Sequence, residues 1–392
     1  MVNIFLKRAS KEDLLKFKQS LSPIKGLEAK DEVAATVEQL PIVSKDPVIS
    51  LVEKAKLKEK LSVEEQIEYL KFKGITFNSY NESLAKGILT DRTYYYKVTA
   101  FRKNFNKDKD NKYTNVDFSI LNDLATIDMH FRYLFLKLSL DIEHNIKSLI
   151  IRLITESDED GFRIIDEYKL FELESYRQKL IKKELSLEEI ENKLKKYETI
   201  DKKLLEAYKS QRDYSYDLIV KRKKKPSIWV LIELMSYGQL CFFINFYVQK
   251  KKYKYKELKL ANSLLFDSKN IRDSSAHSRP IIFNIVGPNQ FLLSNEKRIK
   301  LQVRNFLIQN CNMSDSITNI PLRNLKIHDI TALLYLHDYY VKGRISRIER
   351  KKELVSLIKR CRLKKSYYEE HPEFGEVMYI LFKLIRNYKV KP

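Results

Sequence analysis

Residues 118–154 read FSILNDLATIDMHFRYLFLKLSLDIEHNIKSLIIRLI, and this stretch decides the fold class. Ile127, Phe131, Leu134, Leu138, Ile142 and Leu149 fall on one side of a helix turning by about 100° per residue. Asp128, Arg132, Ser139 and Glu143 gather on another side. Neither glycine nor proline interrupts the run, so a long helix with at most one break is predicted.

The rest of the chain points the same way. Its 392 residues include 8 Gly and 9 Pro, about 4% together against an average of roughly 12%. So few turn-makers exclude a sandwich, a barrel or a collagen-like chain and predict an all-α protein. Hydrophobic residues at 44% exclude wholesale disorder. Cys241, Cys311 and Cys361 are too few and too scattered for a disulfide framework or a four-ligand zinc site. The opening residues, MVNIFLKRASKEDLLKF, hold no apolar h-region of useful length, and a cytoplasmic location is expected.

Working outward from the long helix, residues 1–55 read as an N-terminal extension and 56–300 as a helical core. The core opens with Ser62-Val-Glu-Glu65, a capping box, ahead of Ile67 and Leu70, and Gly74 is the expected stop. A charged helical insertion is expected at about 160–225. Gly161–Ile200 holds nine basic and nine acidic residues, the pattern of a solvated, ion-paired surface, and a helical hairpin over Phe162–Tyr208 is one form it can take. Ser227–Val248 (SIWVLIELMSYGQLCFFINFYV) is apolar enough to weigh as a membrane span. Glu233, Gln239 and Asn245 sit inside it, and a carboxylate mid-span costs about 2.5–3.5 kcal/mol. A buried core helix is the better reading, with Trp229 in the core. Residues 301–392 form a basic helical C-terminal region.

Chemistry has few places to sit. The six histidines make no H-E-x-x-H or other metal spacing, and neither a phosphate-binding G-x-x-x-x-G-K-S/T loop nor a G-x-S-x-G elbow is present. One string stands out, Ile271-Arg-Asp-Ser-Ser-Ala-His277-Ser-Arg279. Arg272 and His277 resemble the R-x4-H signature of HEPN ribonucleases. RNA can be cut without a metal if one group moves the 2′-hydroxyl proton and another holds the crowded phosphorane. A histidine titrating near pH 6.5 suits the first task, and a guanidinium gripping phosphate oxygens suits the second. Spacing alone is weak, because chance supplies about 0.3 such pairs in this chain, and Arg323…His328 is a second match.

Five ordered blocks decide between them. Lys60–Lys71 with Gly74, Tyr94-Tyr-Tyr-Lys-Val-Thr-Ala-Phe101, Asp128-Met-His-Phe-Arg132 with Ile142-Glu143, Pro226–Glu233 with Tyr237-Gly238, and Ile271–Arg279 with Asn284 resemble, in order, the abortive-infection (Abi) family of bacterial phage-defence proteins. Members of that family are similar to HEPN-fold ribonucleases, and Arg323/His328 matches none of the blocks. The resemblance covers residues 60–290. It implies a HEPN-like helical bundle acting as an endoribonuclease toxin, with Arg272 and His277 catalytic and Asp273, Arg279, Glu143 and Arg132 supporting. The reaction would leave a 2′,3′-cyclic phosphate and calls for no metal or cofactor. The resemblance also implies two motif-bearing helices meeting across a two-fold axis, hence a homodimer. Tyr94–Tyr96 are expected to pack inside the fold.

Charge supplies the partner. The formal net charge is +22, and half of it lies in Phe291–Pro392. Lys250, Lys251, Lys252, Tyr253, Lys254, Tyr255 and Lys256 interleave cations for phosphates with rings for bases. Lys342–Lys365 carries eleven basic residues against two glutamates, with Ile345, Ile348, Val355 and Ile358 expected on its buried stripe. Arg347, Lys351, Lys352, Lys359 and Arg360 are therefore expected to face RNA. A small structured RNA restraining the toxin fits this charge better than an acidic protein does. A non-catalytic scaffold, in which Arg272 and His277 only hold RNA, stays open. So does a module for anionic membrane surfaces, although no membrane partner is expected.

Overall fold

The computed structural model describes residues 47–207, 215–221, 226–249, 256–287, 292–293, 299–314 and 322–388. The chain divides into two compact units, Met1–Leu61 and Ser62–Pro392. The described part of the first is a helix, α1 (Pro47–Lys56). Among its described residues the second is all-α apart from one pair of two-residue strands.

Ser62 opens this unit as the capping-box spacing predicts. Its Oγ accepts from Glu65 N at 3.2 Å while Glu65 Oε2 accepts from Ser62 N at 2.7 Å, starting α2 (Val63–Phe72). Gly74 follows at φ +85, where a Cβ would lie 2.5 Å from the Tyr113 carbonyl oxygen. The chain then enters β1 (Ile75–Thr76), which pairs in parallel with β2 (Val116–Asp117). Between the strands lie α3 (Glu82–Gly87) and the short α4 (Tyr95–Thr99). Asp117 ends β2 and caps the next helix, accepting from Ser119 N at 2.9 Å and from Asn78 N at 2.7 Å. Burial alone would raise its carboxyl, but these bonds outweigh burial and hold it below the usual carboxylate range.

That helix, α5 (Phe118–Thr155), runs 38 residues without a break, about 57 Å at 1.5 Å per residue. Ile127, Phe131, Leu134, Leu138 and Ile142 are buried on it as their spacing predicts, and each such side chain contributes about 1.5–3 kcal/mol. Downstream, the charged insertion forms three helices rather than a hairpin: α6 (Arg163–Ile181), α7 (Leu187–Lys195) and α8 (Ile200–Ala207). A second capping box, Ser186 with Glu189, starts α7 and divides the stretch. Ile164, Ile165 and Tyr168 fasten α6 to the core, Tyr168 lying 5.1 Å from both Phe243 and Phe246.

After α9 (Tyr216–Val220), the apolar run 227–248 is buried but is not one helix. It forms α10 (Ile228–Leu234) and α11 (Tyr237–Gln249), because Met235 turns extended and Ser236 exchanges hydrogen bonds with Gln239 to begin again. Among the described residues, no helix is long and apolar enough to cross a membrane. Trp229 packs over Gly161, where a Cβ would meet its ring at 1.8 Å.

Then come α12 (Lys259–Ala276), α13 (Leu301–Cys311), α14 (Leu325–Tyr340), α15 (Arg344–Arg362) and α16 (Pro372–Asn387). Helices α12 and α14 pack on each other and on α5, and α14 is buried almost all round, taking His328, Asp329, Thr331 and His337 inside with its apolar residues. His337 of α14 is within hydrogen-bond distance of Asp141 of α5 (3.2 Å) and of the Tyr388 hydroxyl (2.8 Å). Arg350 of α15 donates to the same Asp141 at 2.7 Å, so the C-terminal helices are tied to the long one.

Candidate active site

Helix α12 carries the Arg272…His277 string and ends on it. The Ser278 N–H donates to Ser275 O at 3.2 Å and the Arg279 N–H to Ser274 O at 2.8 Å, the paired bonds of a Schellman turn. Ser278 occupies its left-handed position at φ +53, where glycine is usual and another residue costs roughly 1 kcal/mol. His277 is the C-cap, exposed beyond the last helical turn. Arg272 is half-buried one turn earlier. Its Nη1 donates to Asp273 Oδ1 at 3.2 Å, and its buried Nε has no hydrogen-bond partner among the described residues.

Beyond the turn, residues 278–287 run without regular secondary structure, yet Ile281, Ile282, Ile285 and Val286 are buried. A buried backbone outside helices and sheets must find partners elsewhere. Here side chains supply them. Asp128 Oδ1 on α5 accepts from Ile281 N (2.6 Å) and Ile282 N (2.8 Å), while its Oδ2 accepts from Arg132 Nε at 2.7 Å. Asn104 donates to Ile282 O at 3.0 Å and accepts from Ile285 N at 2.8 Å. Asn324 donates to Ile285 O at 3.3 Å, Lys326 to Phe283 O and Lys97 to Ser278 O. The strap that follows His277 is thus tied to α4, α5 and α14.

These anchors crowd cations together. Burial, then the Arg132 guanidinium, pulls the Lys97 ammonium below its ordinary range. Burial pushes Lys326 down to about 8, with Asp128 opposing and Lys103 adding. Burial would raise Asp273, but Lys269 at 2.5 Å and Arg272 outweigh it and hold the carboxyl low. Tyr237 lies within electrostatic reach of Glu143 and Arg272; burial pushes its hydroxyl well up despite a 2.7 Å hydrogen bond with Ser268.

The expected supporting residues separate. Arg132 pairs with Asp128, both buried, whereas Glu143 pairs with Lys147 at 3.0 Å. Eleven residues of helix put Arg132 and Glu143 about 16 Å apart along the axis, so they do not share a network. Arg279 is exposed beside His277. Tyr94 and Tyr96 are not inside the fold but 61% and 75% exposed. Tyr94 precedes the one-turn helix α4 in extended backbone, Tyr95 and Tyr96 point about 100° apart within it, and only Tyr95 turns inward, where Arg102 donates to its hydroxyl at 3.3 Å.

The basic C-terminal helix also divides. Ile345 is 79% exposed and Val355 is exposed too, so the stripe expected on α15 is not its buried face; Leu354, Leu357 and Arg347 are. Arg347, expected to face RNA, is fully buried, donating to Asp338 O at 2.8 Å and Val341 O at 3.0 Å. Lys351 donates to three carbonyls at the end of α16, and Arg360 to buried Asp123 at 2.5 Å. Lys352 and Lys359 face solvent. Lys256 opens the turn before α12, while Lys250–Tyr255 lie outside the described residues. His328 of the rival pair is buried against Asp329 on α14. Among the described residues, no three His, Cys, Asp or Glu side chains group as a metal ion requires.

A family model described as Abi-like protein matches residues 88–283, half of the chain. The chain belongs to the Abi-like protein family. Membership supports a role in abortive infection and phage defence. Curated proteins and solved structures give no match. The span matched in this Abi-like protein includes Lys97, Asn104, Asp128, Arg132 and the motif, and ends on the strap at residue 283. Asn324 and Lys326 reach the strap from outside it. Sequence reading gave Arg132 a supporting role but gave none to Lys97, Asn104, Asp128, Asn324 or Lys326. Asp128 and Arg132, four apart on a helix, were a usable signal; Asn104 is a single amide in an aromatic run and offers none.

Proposed function

We propose that this Abi-like protein is a metal-independent endoribonuclease of HEPN type. The observation that carries the reading is the end of α12. An exposed imidazole sits at a rigid C-cap, one turn from a guanidinium with an unused donor, on a strap fixed by five side chains. His277 takes the proton of a ribose 2′-hydroxyl as the 2′-oxygen bonds to phosphorus. The bond from phosphorus to the 5′-oxygen breaks, leaving a 2′,3′-cyclic phosphate, and the 5′-oxygen leaves as a hydroxyl with a proton from a second acid. Arg272 stabilises the phosphorane oxygens.

One chain supplies one such histidine on this motif. A homodimer with two α12 ends meeting across a two-fold axis provides the second acid, and a structured RNA lying on the basic surface restrains the toxin until infection. Purified protein in EDTA should cut RNA. His277→Ala should abolish cutting with folding and RNA binding retained, and Arg272→Ala should abolish it with weaker binding. His328→Ala is the control and should cut normally if it folds. Cutting by His277→Ala at the wild-type rate overturns the reading. A second reading, a non-catalytic RNA scaffold, draws on Asp273, whose carboxylate already occupies Arg272 Nη1 at 3.2 Å. It predicts tight, salt-sensitive RNA binding with no cleavage by any form of the protein.

A further inference from the structure

Tyr94, 61% exposed, is a large aromatic side chain that the core does not cover. Tyr94 is the residue preceding α4, and Lys97 stands three positions on, so the two are neighbours on one face. The Lys97 ammonium lies 6.0 Å from the centre of the Tyr94 ring and donates to the carbonyl of Ser278, the residue after His277. A single lysine therefore links an exposed aromatic ring to the residue that follows the exposed imidazole. Tyr96, though more exposed, is about 100° around the helix from Lys97 and meets Tyr95 edge-on at 5.7 Å, so it looks elsewhere.

We propose that Tyr94, with Lys97 beside it, forms a subsite for an unpaired nucleobase flanking the phosphate at Arg272 and His277. This rests on the ribonuclease reading and names its substrate class: RNA with splayed, single-stranded bases. An aromatic face stacks on any base whose own face is open. In an A-form duplex those faces are covered by stacked neighbours, and the deep major groove is closed to side chains. The charge around the ring matches such a ligand. Arg132 is buried and paired with Asp128, and Lys97 is held on the Ser278 carbonyl as a positive charge beside the ring, so the exposed Arg279 is the cation left to meet a phosphate.

The test uses a 2′-O-methyl RNA decamer, which binds but has no nucleophile, so affinity is read whether or not the protein cleaves. Anisotropy titrations at fixed salt compare wild type with Tyr94→Leu, Tyr94→Phe and Tyr96→Leu. Tyr94→Leu should weaken single-strand binding about 5- to 150-fold, the equivalent of about 1–3 kcal/mol for one stacked base. Tyr94→Phe keeps the ring and should stay within about twofold, as should Tyr96→Leu. The same sequence as a duplex should bind wild type no better than the single strand binds Tyr94→Leu. Tyr94 is exposed, so circular dichroism should report an unchanged fold. Single-strand binding by Tyr94→Leu within twofold of wild type, or equal affinity of wild type for the duplex, would overturn the proposal. Failure of the ribonuclease reading looks different: no cleavage of ordinary RNA by any variant, with this binding pattern intact.

Discussion

Asp128→Asn separates the charge of the strap anchor from its shape. In the native protein Asp128 accepts three hydrogen bonds with no exposed surface, and its ion-pair partner Arg132 is 5% exposed. Asparagine keeps an oxygen for the Ile281 and Ile282 amides but leaves the guanidinium buried without its counter-charge. Breaking such a pair costs about 3–5 kcal/mol. Asp128→Ala also strands the two amides at about 1–3 kcal/mol each. Its total of about 5–11 kcal/mol rivals the whole stability of a typical domain, about 5–15 kcal/mol. Asp128→Asn with Arg132→Met removes both charges, and should cost at least about 2 kcal/mol less than the two single changes added together. Urea melts followed by the fluorescence of Trp229, the single tryptophan, measure all four corners of the cycle. Hydrogen exchange at Ile281 and Ile282 should quicken in Asp128→Ala well before it does in Asp128→Asn. A cost below about 1 kcal/mol for Asp128→Asn, or single changes that simply add, would refute the view that this buried pair holds the strap.

Other expectations concern pH, packing and RNA. Lys326 is pulled from 10.5 to about 8, so between those values the unfolded chain binds the proton and the folded one does not. Stability should therefore rise with pH across that window, by at most about 3 kcal/mol, and fall away again as pH drops through 8. Urea midpoints of Lys326→Met should lack the rise; an identical pH profile in both proteins would contradict the assignment. Gly161→Ala should destabilise by roughly 1–3 kcal/mol and shift Trp229 emission, because its φ is +79 and its Cβ would enter the indole. Lys352→Gln with Lys359→Gln should flatten the slope of log K for RNA against log salt by about 0.7–0.9 per lost phosphate contact with stability unchanged. Arg360→Gln should instead lower stability, since it strips a cation from Asp123, whose side chain is fully buried. An unchanged salt slope in the double lysine variant would remove that face of α15 from the RNA surface.

The long helix was legible because one apolar stripe repeats without interruption, and the capping box at Ser62 because both its bonds are local. The break at Met235–Ser236 was not, because apolar residues fill both sides of it and the Ser236–Gln239 exchange is easily lost in so apolar a run. On α15 the period misled for a related reason. Arg347 bonds back to Asp338 and Val341 across the turn before α15 and lies under Tyr388 from the chain's end, and a fully buried arginine reads as a surface residue until those neighbours are seen beside it. At the candidate site Arg272 and His277 could be found as a spaced pair, but the strap could not. Its anchors Lys97, Asn104, Asp128, Asn324 and Lys326 span more than two hundred residues and touch mostly backbone, which leaves no spacing to read.

The chemical ends left on cut RNA test the central claim most directly. RNA incubated with the purified protein in EDTA, then examined by mass spectrometry, should carry 2′,3′-cyclic phosphate and 5′-hydroxyl termini. His277→Ala at the same concentration should leave the RNA uncut. Fragments ending in 3′-hydroxyl and 5′-phosphate, or cyclic-phosphate ends made equally well by His277→Ala, would contradict the account.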